Sequence, residues 1–148
     1  MNYEPMIDPA GTMHFAIPGA DEQIRQMAAG LEDLYRNLNL SEHQVVALRL
    51  ALDEAVTNAV KHGHCGDRAK EISVDCEWNP AAIVITVTDQ GNGFNCKRLP
   101  DPTRRCNLLK DCGRGIHIIS AIMSDVQFSD TGNQIRMMLN REMLNDER

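Results

Sequence analysis

Residues 71–78, EISVDCEW, and residues 83–88, IVITVT, are two β-rich runs separated only by Asn79-Pro80 and a pair of alanines. Branched and aromatic residues favour strands, and Asn-Pro favours a turn, so the pair predicts a β-hairpin. Hairpin-linked strands form an antiparallel sheet, and its apolar face needs a cover. The rest of the chain supplies one. Residues 12–17, TMHFAI, alternate and end at Pro18-Gly19, which predicts a further strand. Ile24, Met27, Leu31, Leu34 and Leu38 then recur at helical spacing from Ala20 to Leu38, with Asp21 placed to cap the helix. After the break at Asn37–Leu40, Ser41 and Gln44 have the spacing of a capping box. A second helix is expected from Glu42 to His62, stopped by Gly63. Downstream come a long loop from Asp89 to Asp111, a helix from Gly115 to Met123, and strands at Val126–Phe128 and Gln134–Leu139. The fold class is α/β: a two-layer sandwich of a mainly antiparallel sheet with helices on one face, in a single domain spanning 1–148.

Composition narrows the function. Net charge is −6, the pI is about 5.3 and aromatic residues make up 4%. No basic run or stacking surface is evident, which argues against a nucleic-acid partner. The five cysteines are odd in number and include no CxxC pair, so a reducing, cytoplasmic setting is expected. His62, His64 and Cys65 lack the paired spacing of a zinc site. No apolar stretch approaches the roughly 18 residues of a membrane span.

Three stretches carry candidate chemistry. In LDEAVTNAVKHG, residues 52–63, Leu48, Leu52, Ala55 and Ala59 make the stripe facing the sheet. Glu54, Asn58 and His62, four apart, make a second stripe beside it. A solvated flank explains a lone Glu or Asn. A carboxylate and an amide one turn apart also suit a general base beside a Mg²⁺ ligand. In TVTDQGNGF, residues 86–94, a strand delivers Asp89 and then Gly91 and Gly93. The two glycines fit a plain turn. They also allow backbone to approach a flat ring whose exocyclic amine meets the Asp89 carboxylate. In CGRGIHII, residues 112–119, Gly113 and Gly115 precede a helix whose free N–H groups suit a phosphate. Arg104, Arg105 and Lys110 lie in the loop before it.

Together, ExxxN on a helix, DxGxGF after a hairpin strand and GxG opening a helix resemble the GHKL nucleotide-binding fold of gyrase, heat-shock chaperone, histidine kinase and MutL ATPases. Within it the chain most resembles the anti-sigma factor serine/threonine kinases, from MHFAIPG to the last strand. The resemblance implies ATP with Mg²⁺ as the nucleotide and metal. It implies Glu54 as the general base, Asn58 as the Mg²⁺ ligand and Asp89 as the adenine contact beside Gly91 and Gly93. Gly113 and Gly115 would hold phosphate, with Lys110 and Arg114 next to them, and the loop from Asn95 to Asp111 would be a lid. It further implies a sigma factor partner, a phosphorylated anti-anti-sigma (STAS-type) substrate and a homodimer, with no nucleic acid or membrane contact. The chain departs from the family pattern at Gly132-Asn133-Gln134, where some members carry threonine, and at Asp111 and Cys112 before the second glycine box.

Two other readings fit the same residues: a nucleotide-dependent binding module with little turnover, and a switch kinase acting on a scaffold or antagonist without touching a sigma factor. A sensor histidine kinase is disfavoured because no phospho-acceptor helix pair precedes the fold. Gyrase or MutL identity is disfavoured because their second domain has no room.

Overall fold

A computed structural model describes residues 9–63, 69–90, 117–129 and 133–141. Strand β1, Gly11–Pro18, leads into helix α1, Asp21–Asn37, and helix α2, Glu42–Asn58, which runs directly into a π-helical turn, Ala59–Gly63. Strands β2, Glu71–Trp78, and β3, Ala82–Asp89, form the predicted hairpin. A short helix α3, residues 117–122, precedes β4, Asp125–Phe128, and β5, Gln134–Asn140.

The five strands lie in the order β1-β2-β3-β5-β4, and every neighbouring pair is antiparallel. Strand alternation sends one set of side chains to the helices. Ile72, Val74 and Cys76 of β2, Ile83, Ile85 and Val87 of β3, and Ile135, Met137 and Leu139 of β5 are all buried. Opposite them α1 contributes Met27, Leu31, Leu34 and Tyr35, and α2 contributes Val45, Leu48, Leu52, Ala55 and Val56. Ile119 of α3 closes the same core. Helix α1 lies against β1, and α2 lies against β3 and β5. This is the expected two-layer sandwich.

Local sequence sets the boundaries. Both bonds of the Ser41–Gln44 capping box form, at 3.1 Å each. Asn39 takes a left-handed conformation, φ 60°, which an asparagine tolerates and which turns the chain between the helices. Two expectations need correction. Asp21 does not cap α1: the N-cap is Ala20, with no side-chain cap bond, and Asp21 is the first helical residue, where its charge still favours the helix dipole. The second helix is α-helical only to Asn58, not to His62, and its last residues widen into the π turn against β3.

Long-range bonds tie the ends together. Gln44 is buried and its side-chain amide donates to the Arg141 carbonyl at 3.2 Å. Arg141 in turn donates to the carbonyls of Asn79 and Leu38, at 2.8 and 2.9 Å. One residue after β5 therefore links the hairpin turn, the α1–α2 connection and the start of α2.

Candidate nucleotide-binding site

Helix α2 supplies the first part of the site. Its apolar arc faces the sheet: Leu48, Leu52, Ala55 and Ala59 are 0%, 3%, 2% and 6% exposed. Glu54 and Asn58 are half-buried, one turn apart at the margin of that arc, as the helical spacing requires. Neither side chain joins a hydrogen bond or ion pair among the described residues. A carboxylate and an amide oxygen thus stand together at the rim of the core, uncommitted to holding the fold. The amide oxygen is a hard donor of the kind Mg²⁺ prefers, and the carboxylate one turn away suits a general base.

Strand β3 supplies the second part. Asp89 ends the strand and continues the inward series of Ile83, Ile85 and Val87, so its side chain lies on the helix side of the sheet. It is 8% exposed, one of two buried polar residues among those described. Burying a carboxylate is costly unless it is hydrogen-bonded, so the position is not a generic strand end. Its backbone N–H donates to the Asn133 carbonyl at 2.9 Å, one step past the regular β3–β5 ladder. Beside it Gln134 donates to the Thr88 hydroxyl at 3.0 Å. Because β3 runs beneath α2 and the π turn, Asp89, Glu54 and Asn58 share one side of one sheet.

Gly91, Gly93, Lys110, Gly113, Arg114, Gly115, the loop expected to be a lid and the side chain of His62 lie outside the described residues. No group of three or more His, Cys, Asp and Glu side chains able to hold a metal occurs among the described residues. A shallow hollow on the other flank of α2, walled by Ile24, Val56 and Val60 and rimmed by Asp21, Asp53 and Lys61, is separate from this site. Sequence reasoning missed the bonds that hold the Asp89 strand end, because their partners lie 19 to 46 positions apart.

Comparison with known proteins bears on what this site holds. A family model described as a histidine kinase-like ATPase domain matches residues 17–139, which include Glu54, Asn58 and Asp89. The chain belongs to the histidine kinase-like ATPase family. Within this ATP-binding family its relatives include serine-protein kinase RsbW of Bacillus licheniformis, 28% identical over 87% of this chain and 86% of that protein. The RsbW proteins of Oceanobacillus iheyensis and Listeria monocytogenes are 24% and 25% identical, over 82% and 85% of this chain and 81% and 87% of theirs. A crystal structure of the RsbU and RsbW domains of a Mycobacterium tuberculosis protein shares the fold, with a TM-score of 0.58, 15% identity and 88% of this chain covered. The chain spans about a third of that longer structure, 32%. No helix of the histidine kinase-like domain described here is long and apolar enough to cross a membrane.

Proposed function

We propose that this protein is an ATP-dependent serine/threonine kinase and anti-sigma factor. On this reading it phosphorylates an anti-anti-sigma (STAS-type) antagonist and sequesters a sigma factor, as a cytoplasmic homodimer. The observation that carries the reading is the Glu54–Asn58 pair, one turn apart and free of structural duties, on the same side of the sheet as buried Asp89.

Each residue has a distinct part. The Asp89 carboxylate accepts a hydrogen bond from the adenine amine, with Gly91 and Gly93 allowing the backbone close to the ring. The Asn58 side-chain oxygen would hold Mg²⁺, which when bound would offset charge on the phosphates. Gly113, Arg114, Gly115 and Lys110 meet the phosphates, whose charge suits free backbone N–H groups and cations. The Glu54 carboxylate orients the hydroxyl of the substrate serine or threonine and takes its proton. Phosphoryl transfer asks for little more than this positioning and charge stabilisation.

Radiolabel transfer from ATP to the cognate antagonist, with nucleotide titration of each variant, tests the assignment. Glu54→Ala keeps nucleotide and sigma binding but loses transfer by about 10²–10⁴-fold, the usual contribution of a general base. Asn58→Ala loses both nucleotide affinity and transfer. Near-normal transfer by Glu54→Ala would remove the catalytic role and favour a nucleotide-dependent binding module. Co-purification of partners from the native host separates sigma sequestration from a switch kinase that never meets a sigma factor.

A further inference from the structure

Asp89 is flanked on both sides by bonds that lie beyond the ends of the regular strand ladders, a backbone bond on one side and a neighbour's side-chain bond on the other. On the β5 side, the regular pairing stops at Thr88 opposite Gln134, and the Asp89 N–H reaches one step further to the Asn133 carbonyl at 2.9 Å. Ser129 holds Asn133 there. Its hydroxyl donates to the Asn133 side-chain oxygen at 3.1 Å and accepts from the Gln134 N–H at 3.1 Å. Its own N–H donates to the Gln134 carbonyl at 2.9 Å. On the β2 side, Asp89 stands opposite Ile72, and the next bond is again made by a side chain. The Gln90 amide oxygen accepts from the Glu71 N–H at 3.1 Å.

None of this belongs to the core. Gln90 is exposed and Ser129 only half-buried, whereas Asp89 between them is buried. The Ser129 hydroxyl holds Asn133, whose carbonyl takes the Asp89 N–H, and the Gln90 amide ties the residue after Asp89 to Glu71. Hydrogen bonds weaken steeply with angle, and recognition sites need their groups within about 0.5 Å of the productive geometry.

We propose that Ser129 and Gln90 are positioning residues for base recognition, clamping the end of β3 so that the protein selects purine nucleotides bearing an exocyclic amine. The clamp rests on the reading of Asp89 as the amine's acceptor, and it assigns roles to two residues outside that reading. The nucleotide itself touches neither. Their effect passes through the Asp89 backbone and is felt only by a ligand that uses the Asp89 carboxylate.

Calorimetric titration of the full chain with ADP and with purine riboside diphosphate tests this, since the second ligand differs only in lacking the amine. The unaltered chain is expected to prefer ADP by about tenfold, the worth of a hydrogen bond to a charged acceptor. Ser129→Ala and Gln90→Ala each lower ADP affinity by about three- to tenfold and leave the amine-free nucleotide within about twofold, so the preference collapses. Ser129→Thr, which keeps the hydroxyl, restores it. Parallel weakening of both ligands, or unchanged ADP affinity in both alanine variants, overturns the clamp while leaving Asp89 as the amine's acceptor. Equal binding of the two nucleotides by the unaltered chain overturns the Asp89 reading itself, and the clamp with it. Gln90 is a surface position, so its variant keeps the test decisive if Ser129→Ala does not fold.

Discussion

At the scale of single residues, Asp89 and Tyr35 are both buried polar groups with opposite meanings. Asp89→Asn replaces an acceptor by an amide whose N–H₂ end opposes the adenine amine. We expect it to weaken ATP and ADP binding by about 1–3 kcal/mol, and calorimetry showing unchanged affinity would exclude the contact. The Tyr35 hydroxyl is buried with no hydrogen-bond partner among the described residues, and it packs within the apolar core cluster. Burial pushes its ionisation well above the ordinary tyrosine range, and burial likewise pushes the Cys76 thiol up to about 12. Both folded-state values are raised. The associated stability is therefore fully present below the ordinary values of roughly 9–10 and is lost as pH rises beyond them. Tyr35→Phe removes an unsatisfied group, so it should stabilise the fold by up to about 1 kcal/mol at neutral pH. It should also soften the fall in melting temperature between about pH 9 and 11. A clear loss of stability in Tyr35→Phe would mean that the hydroxyl is satisfied after all.

At the scale of elements, α2 bears both the site and the main cover of the sheet, and its start is secured twice. Ser41→Ala removes one capping bond and should cost about 1 kcal/mol. Gln44→Ala removes the reciprocal bond and also leaves the Arg141 carbonyl without its donor, so about 1–3 kcal/mol is expected. Urea denaturation of both variants checks the order, and a larger loss in Ser41→Ala would contradict the Arg141 link. Between α1 and α2, Arg36 bonds Glu42 and Glu32, and Arg49 also bonds Glu32. The Arg49 bond holds the Glu32 carboxyl below its ordinary value, and the Arg36 bond does the same for Glu42. Folded values are lowered here. Any stabilisation is present above the ordinary carboxylate range and disappears as pH falls through the depressed values. The pairs are solvent-exposed, so salt should weaken them and their effect stays small. The π turn that follows α2 is the other feature of this element. Such turns recur at functional sites, and here it packs against the strand that carries Asp89.

At the scale of the whole molecule, a ligand that binds only the folded chain stabilises it by mass action. At 100 times its dissociation constant, ADP with Mg²⁺ should add about 2.7 kcal/mol and raise the melting temperature by about 5–10 °C. Asn58→Ala should abolish most of that rise. A full rise in Asn58→Ala would separate Asn58 from nucleotide binding.

Much of this was legible in the sequence where the information is local. The β-rich runs at 71–78 and 83–88, split by Asn79-Pro80, announced the hairpin, because branched and aromatic residues favour strands and Asn-Pro favours a turn. The heptad-like spacing around Leu48, Leu52 and Ala55 set the buried arc of α2, and so left Glu54 and Asn58 at its margin. Ser41 and Gln44 announced the cap because both of its bonds span three residues. Asp21 misled for a related reason: the same residue type suits the cap and the first turn, and only the backbone's entry from β1 decides between them. Tertiary structure alone decided the rest. The insertion of β5 between β3 and β4, the meeting of Gln44 with Arg141, and the bonds from Asp89 to Asn133 and from Glu71 to Gln90 join residues far apart in sequence. No local periodicity encodes such pairings, because each exists only after the sheet has brought the strand ends side by side.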